Sequence, residues 1–193
     1  AKRSRFHGLT GRLAVDGHPG VNKSTGKVDS SVDNRGDDDY PALPEPPPLE
    51  HGFWRGRRLE ELSAAEWEAL CDGCAKCCLL KLEFGGSREV HYTNVRCRLL
   101  DGATCRCTDY PNRSRRVADC VTLDPAQVRE AYWLPRTCAY RLVAEGSDLP
   151  DWHPLVSGSP LSVRRSGNSV CGRTIAEEDA GNPEHHIVTW IRC

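Results

Sequence analysis

Four cysteines fall within eight residues near the middle of the chain, in the pattern C-x-x-C-x-x-C-C. They are Cys71, Cys74, Cys77 and Cys78. Thiolate sulfur is a preferred ligand for zinc and for iron–sulfur clusters, and C-x-x-C pairs serve both kinds of site. A free cysteine also packs as a small apolar side chain, but five more cysteines follow within the next sixty residues. That density favours metal or cluster ligation.

Two local geometries suit this run of cysteines. At about 100° per residue, a helix continuing from Trp67 would bring three of the four thiols to one face. An iron–sulfur loop would instead turn successive thiolates inward, and Gly73 would ease that unwinding. In either geometry we expect the side chains of the adjacent Cys77 and Cys78 to diverge. The two thiols would then serve different centres, or only one of them would be a ligand.

Capping boxes predict where two short helices begin. Ser63 with Glu66 starts one just before the first cysteine, and Asp124 with Gln127 starts another. A third helix is predicted from Cys138 onwards. Because a thiol in the first turn of a helix has a lowered pKa, this position suits metal binding or reactivity.

The strand signals are fewer and centre on one hairpin. Apolar residues over 79–84 and 90–95 flank a Gly85-Gly86-Ser87 turn. Segment 187–191 is expected to dock the end of the chain, and strand-like pieces lie around Ser162-Val163 and Ser169-Val170. The predicted fold class is α+β: a small cysteine-rich, metal-stabilised domain with short helices and a β-hairpin over 53–193. An extended N-terminal arm, residues 1–52, precedes it.

Composition narrows the class of protein further. The chain has 193 residues and a net charge of −1, so overall charge gives no argument for nucleic acid or a membrane. No apolar run approaches the ~20 residues that span a bilayer. Eleven cysteines would suit a secreted disulfide scaffold, but the odd count, the adjacent Cys77 and Cys78 and the lack of a secretory signal favour a reducing compartment.

The arm has its own chemistry. Thirteen of its 52 residues are Gly or Pro, its start is basic from Lys2 to Arg12, and residues 29–50 are acidic. It lacks the apolar residues for a core, so it is predicted to bind other subunits of a large protein or ribonucleoprotein assembly, with RNA contact through its basic end. The chain contains no methionine and starts basic, as after a removed transit peptide. This predicts the mitochondrial matrix or another organelle interior, with the bacterial cytoplasm as the alternative.

Taken together, the cysteine segments resemble a known family. The matching stretches are 71–78, 92–101, 104–113, 119–120, 133–142 and 148–155. They are similar to the bacterial cysteine-cluster (CxxCxxCC) family described as zinc- or iron-chelating, and the resemblance runs from about Phe53 to the end of the chain. Wider relatives include flagellin lysine methylases, which carry an iron–sulfur cluster. The resemblance implies nine metal ligands: Cys71, Cys74, Cys77, Cys78, Cys97, Cys105, Cys107, Cys120 and Cys138.

Some positions depart from the family pattern or stand beside the ligands. Cys171 stands where the family usually has arginine, and Cys193 ends the chain, so both are left out of the ligand set. Asp151 and Arg96 are atypical. Three residues are predicted to lie beside the ligands and orient them: Tyr110, Arg113 and His153.

Nine thiols suit two centres of about four ligands each. Zinc and iron–sulfur clusters both remain open as the cofactor, although the C-x-x-C-x-x-C spacing favours a cluster. The predicted function is a non-catalytic, metal-stabilised subunit of a large assembly, such as an organellar ribosome or a respiratory complex. The alternative is a free metalloenzyme with redox or methyl-transfer activity, whose open metal site would be lined by Asp109, Arg113 and His153.

Overall fold

The computed structural model describes the backbone of residues 5–6, and residues 49–85 and 88–193. Most of the predicted arm, residues 1–52, lies outside the described residues. Within its last four residues, Leu49 packs against the hydrophobic core. The packed part of the chain therefore starts slightly before the predicted boundary at Phe53.

The described chain contains several short α-helices. Both predicted capping boxes are confirmed. The Ser63 hydroxyl accepts from the Glu66 N–H at 3.3 Å, and the Asp124 carboxylate accepts from the Gln127 N–H at 2.8 Å. Helices this short are marginal alone, so packing stabilises them. The six helices in the described chain are α1 (Ala64–Ala69), α2 (Arg113–Arg116), α3 (Pro125–Glu130), α4 (Ala139–Ala144), α5 (Pro154–Ser157) and α6 (Ser162–Arg165).

A small sheet joins the sequence-distant parts of the domain. Its strands are β1 (Arg5–Phe6), β2 (Leu79–Glu83), β3 (Val90–Arg96) and β4 (Ile175–Ala176), in the order β1-β2-β3-β4. β2 and β3 pair antiparallel, which confirms the predicted hairpin. β1 runs antiparallel to β2, and β4 runs parallel to β3. The fold is α+β, as predicted.

The two faces of β2 pack into different apolar clusters. Leu79 joins Tyr92 in one cluster, and Leu82 joins Val95 in the other. All five β2 residues are buried, and each buried leucine contributes roughly 1.5–3 kcal/mol. A third cluster, built around Trp54, fills the space between α1, α3 and α4. The sheet and the helices thus meet across a shared interior.

Of the two geometries considered for the cysteine run, the continuous helix is wrong. α1 ends at Ala69, and Leu70 is its C-cap. Gly73 then has a φ of +70° and Ala75 a φ of +58°, left-handed values that interrupt a right-handed helix. The cysteine run therefore adopts a loop, and Gly73 eases the unwinding as predicted.

Two smaller expectations concern the C-terminal third of the chain. The strand-like pieces at Ser162-Val163 and Ser169-Val170 are wrong. Val163 is buried in the short helix α6, where packing overrides its β-branched preference, and residues 169–170 lie in no strand. The docking of segment 187–191 is confirmed, since the Val188 N–H donates to the Tyr92 carbonyl at 2.8 Å and Ile191 is buried. Within the described residues, no helix has the length and apolarity to span a membrane.

Candidate metal centre

The loop after α1 carries the first four cysteines. The Asp72 carboxylate accepts a hydrogen bond from the Cys74 N–H at 3.0 Å, which closes a tight turn over Gly73. A 3-10 turn, Lys76–Cys78, then leads directly into β2. The four thiols are therefore held between a helix end on one side and a sheet strand on the other.

The remaining five predicted ligands come from elements that follow this loop in the chain. Cys97 directly follows β3, and its N–H donates to the Cys78 carbonyl at 2.9 Å. Cys105 and Cys107 lie in the turn that follows Cys97, Cys120 follows α2, and Cys138 is the N-cap of α4.

A single cavity of about 260 Å³ is lined by all nine predicted cysteines. Neither of the two cysteines left out of the set, Cys171 and Cys193, lines it. The cavity lies between the apolar cluster around Trp54 and the apolar cluster that contains Leu79 and Tyr92. Leu134 of the first cluster and Leu79 of the second are both in its wall. Thiols from distant parts of the chain thus share one interior space.

The thiols surround the cavity without yet forming a coordination shell. All eleven cysteines lie in the described part of the chain and are free. Within that part, no three His, Cys, Asp or Glu side chains form a group that could hold a metal ion. The ligand set therefore stays a prediction, and side chains would have to rotate into the cavity to complete it.

The expected divergence of Cys77 and Cys78 is wrong. Their sulfur atoms lie 4.0 Å apart. A tetrahedral zinc with Zn–S bonds of about 2.3 Å holds two sulfurs about 3.8 Å apart, so neighbours at this distance fit one centre or two adjoining ones. The loop ends here in a 3-10 turn that leads into β2, and this turn sets the directions of the two side chains.

Burial raises the pKa of most of the cavity thiols. It is the largest cause at Cys71 and Cys138, where the charge of Cys77 adds to it and the pKa rises to about 12. The lowered pKa expected for Cys138 is wrong, because burial outweighs the N–H groups at the start of a six-residue helix. Cys77 is the exception: a hydrogen bond from Cys78, helped by the Lys81 ammonium, lowers its pKa to about 7.

The surface of Cys71 is exposed, although burial is the largest cause of its raised pKa. Burial still dominates its pKa because the residue lines the cavity and protein surrounds the thiol. The shift therefore describes its environment better than the exposed area does.

Asp72 belongs to this site, although it was not predicted. It lines the cavity, and its Oδ2 atom is buried without a hydrogen-bond partner. An unsatisfied buried polar group costs roughly 1–3 kcal/mol, more when it is charged, so a cation in the cavity would relieve it. Soft thiolates with one unpartnered carboxylate oxygen fit a zinc or iron centre. The acidic residue inside a C-x-x-C pair was the signal available in the sequence.

Lys81, on β2, is the second residue that the sequence analysis missed. It is 1% exposed, and its ammonium donates to the carbonyls of Cys77 at 2.7 Å and Leu79 at 2.8 Å. The ammonium also lies 5.1 Å from the ring of Tyr92 and 4.9 Å from that of Trp133. Burial lowers its pKa, and the charge of Cys77 opposes that shift. A lysine in a run of leucines was the available signal.

Tyr110 and Arg113, two of the residues predicted beside the ligands, do line the cavity. The Arg113 guanidinium lies 3.7 Å from the centre of the Tyr110 ring, and the Tyr110 hydroxyl donates to Glu68 at 2.9 Å. Burial, and then the hydrogen bond to Glu68, raises the pKa of Tyr110 to about 12. The Arg113 charge opposes the effect of burial on the pKa of Cys120, so it favours the thiolate there.

His153 takes a different position. It is fully buried but is not in the cavity wall. Its Nδ1 accepts from the Leu155 N–H at 3.1 Å, which leaves the proton on Nε2 to donate to the Leu70 carbonyl at 3.1 Å. Both ring nitrogens are therefore used, and His153 holds the peptide next to Cys71 rather than a metal.

The fold and the cavity define a cysteine-cluster protein. A family profile described as "CxxCxxCC: Putative zinc- or iron-chelating domain" matches residues 70–139. A UPF0260 protein of Parvibaculum lavamentivorans is 57% identical over 143 residues, which cover 73% of this chain and 94% of that protein. The chain belongs to this bacterial family of UPF0260 proteins, and the resemblance named from the sequence is confirmed.

Two further relatives agree. UPF0260 protein R01011 of Rhizobium meliloti is 57% identical over 140 residues, 72% of this chain and 90% of that protein. A UPF0260 protein of Rhodopseudomonas palustris strain TIE-1 is 54% identical over 149 residues, 76% of this chain and 88% of that protein. No solved structure matches. These relatives are bacterial, so they give the expected organelle location no support.

Proposed function

We propose that this chain binds two metal centres, of zinc or iron, through the thiols of the cavity, and that the metals stabilise the domain without catalysis. The observation that carries the proposal is the shared cavity of the nine predicted cysteines. Thiolates suit both zinc and iron–sulfur clusters, and the family description names both metals. Bound metal would cross-link the helices and strands around the cavity, which are too short to be stable alone.

The charges among the thiols support a first group of four. Burial is the largest cause that raises the pKa of Cys71, Cys74 and Cys138, and the charge of Cys77 adds to it at each of them, after that of Asp72 at Cys74. The charge of Asp72 acts on the same three thiols. We assign Cys71, Cys74, Cys77 and Cys138 to one centre, with Asp72 as a nearby oxygen donor.

A second group of four follows from the same reasoning. After burial, the charges of Cys97 and Cys107 raise the pKa of Cys120, and that of Cys107 raises the pKa of Cys97. Cys77 has the largest effect on the pKa of Cys78 because the two are chain neighbours, and Cys97 adds to it. Because the Cys78 carbonyl accepts from the Cys97 N–H at 2.9 Å, we assign Cys78 to this centre together with Cys97, Cys107 and Cys120. The ninth thiol, Cys105, falls outside both groups.

The non-catalytic role has its own support. An open site lined by Asp109, Arg113 and His153 would favour a metalloenzyme with redox or methyl-transfer activity, and of these three only Arg113 is in the cavity wall. The Asp109 carboxylate pairs with Arg116 at 3.0 Å, and both nitrogens of His153 are used within the fold. These contacts favour a structural role for the metal.

Elemental analysis tests the two centres. We expect purified protein to hold about two zinc ions, or iron with sulfide and a visible absorption band. Cys138→Ser should lose about half of the metal, Cys120→Ser should lose the other half, and the matched control Cys193→Ser should lose none. A colourless, metal-free protein whose thiols are paired as disulfides would contradict the proposal.

We also propose that the arm, residues 1–52, attaches this domain to other subunits of a large protein or ribonucleoprotein assembly. Deleting residues 1–48 removes the two-residue edge strand β1 but keeps β2, β3 and β4, and it keeps Leu49, which packs on the core. The deletion should leave the metal content intact and move the tagged protein from large to small particles on a sucrose gradient. Replacing Lys2, Arg3 and Arg5 by glutamine should weaken attachment most at low salt. Unchanged sedimentation after the deletion would refute the anchor.

A further inference from the structure

Five exposed arginines in the last third of the chain form no ion pair with an Asp or Glu side chain of the described residues. We call them the basic face: Arg136, Arg164, Arg165, Arg173 and Arg192. Three of the five lie in residues 152–176, a stretch without Asp or Glu, although the net charge of the chain is −1. Six other arginines do pair with a carboxylate: Arg55, Arg57, Arg58, Arg116, Arg129 and Arg141.

Contacts between distant segments bring the basic face together. The Arg173 guanidinium donates to the Gly167 carbonyl at 3.3 Å and lies 3.7 Å from the centre of the Trp190 ring. Arg192 follows Trp190 by two residues, and its carbonyl accepts from the Arg136 N–H at 2.9 Å. Two of the five arginines end α6, and the loop that follows α6 is therefore held beside segment 190–192 and the segment before α4.

Lys76 completes this set of contacts from the inside. It is 4% exposed, and its ammonium donates to the Thr137 hydroxyl at 3.0 Å and to the Asn168 side-chain oxygen at 3.4 Å. Thr137 follows Arg136 and Asn168 follows Gly167, so the contacts form a closed ring. The arginines around this ring lie on one connected patch of surface, and a buried ammonium adds positive charge behind it.

The chemistry of the patch fits a chain of phosphate groups. A guanidinium binds phosphate through two parallel hydrogen bonds and keeps its charge at physiological pH. Several guanidinium groups spread over one surface suit a polymer with regularly spaced phosphates better than a single small anion. The guanidinium of Arg173 against the ring of Trp190 also offers a flat surface, and the unpaired bases of single strands stack on aromatic rings and guanidinium planes.

We propose that the basic face binds single-stranded nucleic acid, with its arginines on the phosphates and the pair of Arg173 and Trp190 against a base. This surface is separate from the arm, whose own basic end runs from Lys2 to Arg12. It is also separate from the metal cavity, whose wall contains none of the five arginines. A failure of the metal proposal would therefore leave this one intact, and the reverse also holds.

Titration of full-length, metal-loaded protein into a short fluorescent oligouridine or oligothymidine strand measures the binding by anisotropy. Contacts to about four phosphates give a slope of about −2.8 in log K against log salt concentration, so the affinity should fall about fiftyfold between about 50 and about 200 mM salt. Binding of either strand supports the proposal, and the strand that binds more tightly identifies RNA or DNA as the ligand.

Two variants locate the site. The side chains of Arg164, Arg165 and Arg192 form no hydrogen bond or ion pair with the described residues, so replacing all three by glutamine should preserve the fold. The triple variant should lose at least about tenfold in affinity, and its salt slope should be shallower by about 2, since each lost phosphate contact removes about 0.7. Arg173→Lys keeps the charge but not the flat surface, so it should lower the affinity at least about fivefold without changing the slope.

A matched control removes the same charge elsewhere. Arg55, Arg58 and Arg129 are exposed and pair with carboxylates, and exposed pairs contribute little to stability. Replacing these three by glutamine should leave the affinity and the salt slope nearly unchanged. Both triple variants should keep the metal content and melting temperature of the wild type. Equal losses in the two triple variants, no binding of either strand by the wild type, or equally strong binding of polyglutamate would overturn the proposal.

Discussion

Chelation of the bound metal is expected to unfold most of the domain between Cys71 and Cys138. The helices with residues in the cavity wall, α1, α2 and α4, have only four to six residues each, and such helices depend on packing rather than on their own propensity. A structural zinc supplies about 10–16 kcal/mol of apparent binding free energy, which rivals the roughly 5–15 kcal/mol net stability of a typical domain. Far-UV circular dichroism before and after verified metal loss should reveal lost helix and a melting temperature lower by at least about 10 °C.

The pH dependence of the two forms should run in opposite directions. In the metal-free fold, Cys71 and Cys138 have pKa values raised to about 12, above the about 8.5 of an unfolded thiol. Their contribution to stability is therefore present below about pH 8.5 and is lost as the pH rises toward 12. In the metal-bound form the ligands must be thiolates, so acid displaces the metal. A metal-free domain that melts at the same temperature as the metal-loaded one would contradict the expected unfolding on chelation.

The local elements could be predicted because their signals are local. The capping boxes at Ser63 and Asp124 and the hairpin around Gly85 each depend on residues a few positions apart. The nine cysteines were identified because their types and spacings resemble a family, and all of them line one cavity. No such short-range pattern predicts which thiols face each other.

The residues that were missed depend on long-range contacts. A lysine in a strand is expected to face solvent, but the rings of Tyr92 and Trp133 pack against the Lys81 ammonium. The pKa of Cys138 could not be derived from its place at a helix start, because burial within the assembled domain decides it.

Replacing Lys81 by methionine is expected to weaken metal binding by roughly ten- to a hundredfold while leaving the metal-free fold nearly as stable as before. A centre of four thiolates and one divalent ion carries two net negative charges, and the Lys81 ammonium acts on the charges of Cys77 and Cys78. Losing one partner of a buried charge pair costs about 3–5 kcal/mol, and rearrangement around the cavity would recover part of it. Without metal, methionine leaves the carbonyls of Cys77 and Leu79 without the ammonium, but it also removes a buried charge and fills a similar volume between Tyr92 and Trp133, which offsets that loss.

Competition with a chromophoric chelator measures the affinity, and thermal melting of the metal-free protein measures the stability. Lys76→Met is the matched control, since Lys76 is also buried but donates to Thr137 at 3.0 Å and Asn168 at 3.4 Å. It should disturb stability more than metal affinity. Lys81→Arg should recover part of the affinity because it restores the positive charge. Equal affinities for wild type and Lys81→Met, or a larger loss in Lys76→Met, would mean that the Lys81 ammonium does not stabilise the bound metal.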